Sequence, residues 1–279
     1  KLKVISRYKN QTFDAAAGIY SSVNDMSKWM ITQLQQGKYG SEKQFKLFSE
    51  AQHNEMWQLQ TIIPARTREP YYTHFSGYGL GWFLSDVKGY KQVTHTGGLE
   101  GIVTQVTLIP ELNLGIVVLT NQQSGAAFNA ITNTIKDAYL KIEYKDYVAL
   151  YSQREKDNIA QADKVTTEVW AKIAENQKAK VKVELNNYVG TYKDNWFGNI
   201  TITEKKGKMY FNSERSPQLA GELFYYKDNI FAVKWFNRSF NADALLTFSA
   251  NHANIKMAAI SELTDFSYDF QDLDFNKKE

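Results

Sequence analysis

The chain contains no cysteine. Disulfides, thiolate metal centres and a cysteine nucleophile are therefore excluded, while the redox compartment is left open by this criterion. Histidine is almost as scarce, with four in 279 residues. Three of them, His53, His74 and His252, share no metal-ligand spacing with one another or with a carboxylate cluster, so no metal site is expected. No cofactor is expected either. No apolar run approaches the ~20 residues that span a bilayer, so a transmembrane segment is not expected. The opening Lys1-Leu2-Lys3-Val4 lacks the form of a signal peptide. An excess of one charge is also missing: 33 Lys and Arg stand against 30 Asp and Glu, a net charge of +3. The basic residues are scattered and no basic stripe forms, which argues against a nucleic-acid partner.

What remains is a chain long enough for two domains, each with its own core. It opens on Lys1, and the expectation is that an upstream portion of the protein precedes it. Ser22-Val23-Asn24-Asp25, followed by Met26, Trp29, Met30 and Leu34, predicts a capped amphipathic helix ending near Gly37. Residues 51–77, with Pro64 and Pro70, read as a loop-rich excursion. Strands are expected over Gly79–Ser85, Gln92–His95, Val103–Ile109 and Gly115–Leu119, with turns at Lys88-Gly89 and Pro110-Glu111-Leu112-Asn113. Ala127, Ala130, Ile131, Ile135, Ala138 and Tyr139 then form a helical stripe suited to covering one face of that antiparallel sheet.

Apolar residues thin out from about 141 to 182, and a charged helical connector is expected over 143–182. The period then changes to two. Seven segments between Tyr188 and Leu263 alternate as strands do, with Lys205-Lys206-Gly207 and Lys227-Asp228-Asn229 placed where hairpins need turns. The fold class is α+β: a sheet with helices over 1–142 and a small antiparallel β-barrel over 183–279. The aromatic residues Trp196, Phe197, Tyr225, Tyr226, Trp235 and Phe236 suit core and interdomain packing better than a ligand mouth. The carboxylates Asp265, Asp269, Asp272 and Asp274 alternate with Phe266, Tyr268, Phe270 and Phe275, a pattern of solvated acids and buried rings.

One segment carries chemistry. In His95-Thr96-Gly97-Gly98 a hydroxyl lies between an imidazole and two glycines at the end of a short apolar strand. Glycines in a strand often mark close approach of a backbone or a ligand. The N–H of Gly98 could face a developing oxyanion and the Thr96 hydroxyl a substrate carboxylate or carbonyl. The other reading is a strand end running into a Gly-Gly turn.

Read in order, residues 15–29 (AAAGIYSSVNDMSKW), Tyr78-Gly79-Leu80-Gly81-Trp82, His95-Thr96-Gly97-Gly98, Leu108-Ile109-Pro110 and Gly115–Asn121 resemble the C-terminal part of a serine beta-lactamase-related hydrolase. That family includes class C beta-lactamases, penicillin-binding-protein-like esterases and D-amino-acid peptidases. The likeness covers about residues 8–140. It implies a Ser-x-x-Lys nucleophile and base, a Tyr-x-Asn motif and a Lys/His-Thr/Ser-Gly strand. His95-Thr96-Gly97 matches the third, and the resemblance makes Gly98 N–H one oxyanion donor. Ser6-Arg7-Tyr8-Lys9, Ser85-Asp86-Val87-Lys88 and Tyr8-Lys9-Asn10 match the other letters, but none sits where the family places them. Residues 187–192, 198–202 and 264–270 resemble the lipocalin-like domain often appended to these hydrolases.

The expectation is therefore a C-terminal fragment of an exported, periplasmic serine hydrolase, with nucleophile and Tyr-x-Asn supplied upstream. His95, Thr96 and Gly98 are the expected catalytic residues, and His95, Thr96 and Gly97 the substrate contacts. The partners implied are a beta-lactam, a D-amino-acid peptide or an ester, and the missing N-terminal part of the catalytic domain. The isolated chain is expected to be inactive. The alternative is a noncatalytic binding or regulatory protein that uses the barrel to hold a peptide, glycan or lipid.

Overall fold

The computed structural model describes residue 16 and residues 18–99, 101–265 and 267–278. The chain divides into two compact units at Arg154/Glu155.

In the first unit, α1 (Val23–Leu34) starts at Ser22, whose hydroxyl accepts from the Asp25 N–H. Gly37 follows its end with φ +90°, where a side chain would also strike the Phe48 carbonyl, so glycine is required there. Two short strands, β1 (Lys38–Tyr39) and β2 (Phe45–Lys46), pair next. The stretch expected to be a loop holds a helix, α2 (Glu50–Met56), and two strands, β3 (Thr61–Ile63) and β4 (Ser76–Tyr78). Its helix is set by a capping box in which Ser49 and Gln52 satisfy each other's backbone N–H groups.

The sheet continues through β5 (Phe83–Val87), β6 (Tyr90–Leu99), β7 (Ile102–Ile109) and β8 (Leu114–Leu119), all neighbours antiparallel and in sequence order from β3 to β8. The strand expected over Gly79–Ser85 is broken, because Gly79–Trp82 is the connection between β4 and β5. Lys88-Gly89 forms the two-residue turn between Val87 and Tyr90, both with positive φ. One sheet face packs Leu84, Val93 and Leu108 against Met30, Trp57 and Trp82. The other packs Val87, Ile109, Leu114, Ile116 and Val118 against Phe128 and Leu140, at and just beyond the ends of α3 (Gly125–Tyr139).

The face of α3 that meets the sheet shares only Ala130 with the expected stripe. Phe128, Ala130, Thr132, Lys136 and Asp137 are buried, whereas Ile131, Ile135 and Tyr139 are exposed. Polar partners explain the exchange. The Lys136 ammonium reaches Gln92 Oε1 on β6 at 3.2 Å and lies 4.0 Å over the Tyr71 ring. The two oxygens of Asp137 accept from Tyr71 (2.7 Å) and Tyr147 (2.6 Å), at the start of α4 (Tyr147–Lys178). These bonds hold the Tyr71 hydroxyl far above its usual range and Tyr147 at about 12, with desolvation as the larger cause in both.

The second unit is a closed eight-stranded antiparallel barrel: β9 (Gly190–Asp194), β10 (Gly198–Lys205), β11 (Lys208–Ser213), β12 (Ala220–Lys227), β13 (Ile230–Trp235), β14 (Ala244–Phe248), β15 (Asn254–Ala259) and β16 (Asp274–Lys277). Lys206 and Gly207, both at positive φ, make the tight turn between β10 and β11. The strand read to Leu263 stops at Ala259. The eighth strand was hidden in the acidic aromatic stretch, which alternates only in part: Phe270–Asp272 is a 3-10 turn, and β16 closes the barrel against β9. Phe270 and Phe275 are buried, while Phe266 lies outside the described residues.

Side chains fill the barrel interior. Tyr192, Phe211, Phe231, Trp235 and Phe275 are each at most 1% exposed. Of the other aromatic residues singled out, Phe197 and Tyr225 pack against this core and Tyr226 against the cluster around Trp170 of α4, while Trp196 and Phe236 are exposed. Asp194 ties the closure together by accepting from the N–H groups of Trp196, Phe197 and Asp274.

Candidate active site

The His95-Thr96-Gly97-Gly98 segment forms the far half of β6, a ten-residue strand beside the five-residue β5. The β5 ladder ends at the pair Phe83–Thr94, whereas pairing with β7 continues through Leu99–Ile102. From His95 onward, one edge of β6 is therefore uncovered by β5. The direction of its backbone follows from Gly97, whose carbonyl accepts from Thr104 on the β7 side. Alternate residues of a strand point their N–H and C=O to opposite edges, so those of Thr96 and Gly98 face the open one.

Thr96, Gly97 and Gly98 are exposed and His95 half-buried. The imidazole is held from three sides. Its Nε2 lies 2.9 Å from the Tyr78 hydroxyl on β4 and its Nδ1 2.6 Å from the Thr96 carbonyl, with the Phe83 ring centred 5.6 Å away. Tyr78 in turn packs edge-on against Phe83. Gly97 has a reason within the fold, since a Cβ there would lie 2.6 Å from the Thr104 hydroxyl. Tyr78 was seen in sequence only as part of Tyr-Gly-Leu-Gly-Trp. A tyrosine 17 residues before the histidine carries no short-range signal, and the contact arises from strand order.

The remaining candidates fall apart from this edge. The Ser85 hydroxyl accepts from Gln92 Nε2 at 3.3 Å, in the middle of the sheet. Ser6-Arg7-Tyr8-Lys9, Tyr8-Lys9-Asn10 and the residues Ala15 and Ala17 of the family-like segment lie outside the described residues. His74 pairs with Asp86 at 2.9 Å, and that carboxylate also accepts the backbone N–H groups of His74 and Phe75. His53 is buried beside Trp57, and burial pushes it below the usual histidine range. His252 packs edge-on against Tyr188 in the barrel. Among the described residues no group of three His, Asp or Glu could hold a metal ion, and no helix is long and apolar enough to cross a membrane.

Residues 3–141 match the beta-lactamase family, and residues 174–277 match a domain of unknown function, DUF3471. Through the first match residues 3–141 belong to the beta-lactamase family. It is 30% identical over 113 residues to the unguisins hydrolase ungD' of Aspergillus campestris, covering 40% of this chain and 19% of that one. It is 26% identical over 133 residues to the D-alanyl-D-alanine-carboxypeptidase/endopeptidase AmpH of Escherichia coli, covering 44% and 31%. The octameric penicillin-binding protein homologue from Pyrococcus abyssi aligns over 92% of this chain and 47% of its own, at 16% identity and a TM-score of 0.37. The chain thus spans less than a third of the length of the curated relatives it matches.

Proposed function

We propose that this segment supplies one wall of the active site of a serine hydrolase that works through an acyl-enzyme, with an accessory barrel attached. The open edge of β6 at residues 95–98 carries the reading. There Thr96 and Gly98 are both exposed on the stretch that β5 leaves uncovered, which brings a hydroxyl and a backbone N–H to one edge for an acyl group. The serine nucleophile with its lysine, and the Tyr-x-Asn motif, are assigned to sequence N-terminal to the part matched here, in keeping with relatives three to five times longer than the match. The reaction is transfer of an acyl group from an ester, amide or lactam to that serine, followed by hydrolysis. His95 supports the edge, Thr96 hydrogen-bonds the substrate, Gly97 lets the strands approach, and Gly98 offers one oxyanion donor beside the nucleophile's own amide. The relative named for D-alanyl-D-alanine substrates suggests an exported, periplasmic setting and D-amino-acid peptides among the candidate substrates.

The 279-residue chain alone should be inert toward nitrocefin, a p-nitrophenyl ester and a fluorescent penicillin, and acylation of the chain alone would overturn the assignment of the nucleophile. In the hydrolase that includes the upstream sequence, Thr96→Val should lower kcat/KM roughly tenfold or more, the worth of a hydrogen bond made in the transition state. Unchanged turnover in a folded Thr96→Val enzyme removes Thr96 from the site.

A further inference from the structure

Both ring nitrogens of His95 are already engaged by the protein. Nδ1 faces the Thr96 carbonyl at 2.6 Å, and a carbonyl only accepts, so Nδ1 carries a hydrogen. Nε2 faces the Tyr78 hydroxyl at 2.9 Å. In the neutral ring Tyr78 donates to Nε2, and in the imidazolium Nε2–H donates to the Tyr78 oxygen. In either state both ring nitrogens are taken, Nδ1 by the Thr96 carbonyl at the open edge and Nε2 by Tyr78, so neither is left for a substrate. Phe83, packed against both Tyr78 and His95, closes the pair from a third side.

The strands around this edge offer no substitute cation. β4, β5 and β7 contain no lysine or arginine. The single basic residue of β6, Lys91, donates from its ammonium to the Trp57 carbonyl at 3.0 Å. The groups that these strands leave for a substrate are the Thr96 hydroxyl and the Gly98 N–H, both uncharged. A free carboxylate is held best by charge-assisted hydrogen bonds, whereas a neutral carbonyl or amide is matched by a hydroxyl and a backbone N–H.

We propose that Tyr78 is a positioning residue that withdraws His95 from direct substrate contact, so that this edge selects an uncharged acyl substrate over one ending in a free carboxylate. Such a substrate is an ester, or an amide within a longer or capped chain. The inference rests on the hydrolase reading above, and its two tests separate the one from the other.

The first test uses the chain as it stands. Long-range proton–nitrogen spectra of the histidine-labelled protein should show the neutral form of His95 with a pyrrole-type Nδ1 and a pyridine-type Nε2. Tyr78→Phe, which keeps the ring against Phe83, should move the Nε2 resonance while the amide spectrum stays folded. A protonated Nε2 with a bare Nδ1, or an Nε2 resonance indifferent to Tyr78→Phe, overturns the proposal. The second test compares kcat/KM of the hydrolase with its upstream sequence on acetyl-D-alanyl-D-alanine and on its carboxyl-terminal amide. The amide should be preferred, and Tyr78→Phe should shift the ratio about tenfold toward the free acid, because the released ring, as the imidazolium, can donate from Nε2 to the carboxylate. His95→Lys, which sets a cation at the same place, should shift it the same way. Preference for the free acid in the wild type, or a ratio that neither variant moves, refutes the selectivity. Hydrolysis of neither compound, nor of an ester, counts against the hydrolase reading, and the spectra then decide the Tyr78–His95 pair by themselves.

Discussion

Replacing Lys136 with methionine should make the protein more stable. The Lys136 side chain is 5% exposed, and burial pushes its ammonium from 10.5 down to about 8, although the neighbouring Asp137 favours the charged form. At 1.36 kcal/mol per pH unit, holding the charge inside costs about 3 kcal/mol at neutral pH. Against that stand a hydrogen bond to Gln92, worth about 1 kcal/mol, and the ammonium over the Tyr71 ring, worth about 1 kcal/mol. Methionine fills a similar linear space without a charge. Lys136→Met should therefore gain about 1 kcal/mol near pH 7. The pH dependence gives a second reading. Between about 8 and 10.5 the unfolded chain keeps a proton that the folded protein has released, so wild-type stability should rise relative to the variant across that window and keep a level difference below it. Urea unfolding near pH 7 and near pH 10, read from a fluorotryptophan resonance at Trp82, measures both quantities. A difference between wild type and variant that is the same at both pH values, with Lys136→Met the less stable at each, would refute the burial argument.

Two further outcomes follow from the barrel. Phe275→Ala should cost about 3–5 kcal/mol by opening a cavity at the closing strand, and amide exchange in β9 and β16 should accelerate before that in β12 and β13. Burial pushes the Asp194 carboxyl up, but the N–H groups of Phe197, Asp274 and Trp196 overcome this and hold it below its ordinary 3.8. Its stabilisation is thus present above the unfolded value and lost as pH falls through the folded one. Asp194→Ala should destabilise by about 2 kcal/mol near pH 7 and show a shallower acid limb, measured by fluorescence-detected acid unfolding.

Much of the architecture was legible because local chemistry and packing agree. Ser22 before Met26 and Met30 announced α1, and Lys88-Gly89 and Lys206-Gly207 announced hairpins whose positive φ values suit those residues. Period two along β10 to β15 gave the barrel its strands. What escaped depended on partners distant in sequence. Apolar periodicity chose Ile131, Ile135 and Tyr139 as the inner face of α3. The sheet instead offered Gln92 to Lys136, and Tyr71 and Tyr147 offered hydroxyls to Asp137. β16 was missed because a 3-10 turn interrupts its alternation. The His-Thr-Gly-Gly segment was readable as a short motif, yet its setting was not. The contact with Tyr78 and the early end of β5 exist only once β4, β5 and β6 are side by side.

The closure of the barrel has a consequence for how such a module can be used. β9 pairs with both β10 and β16, so the ring has neither a first nor a last strand. The sheet of the first unit, by contrast, stops at β3 on one side and β8 on the other. A closed ring without an edge gives a foreign strand nothing to extend. That makes the barrel a portable part: it can be joined to other sequence without becoming a template for aggregation.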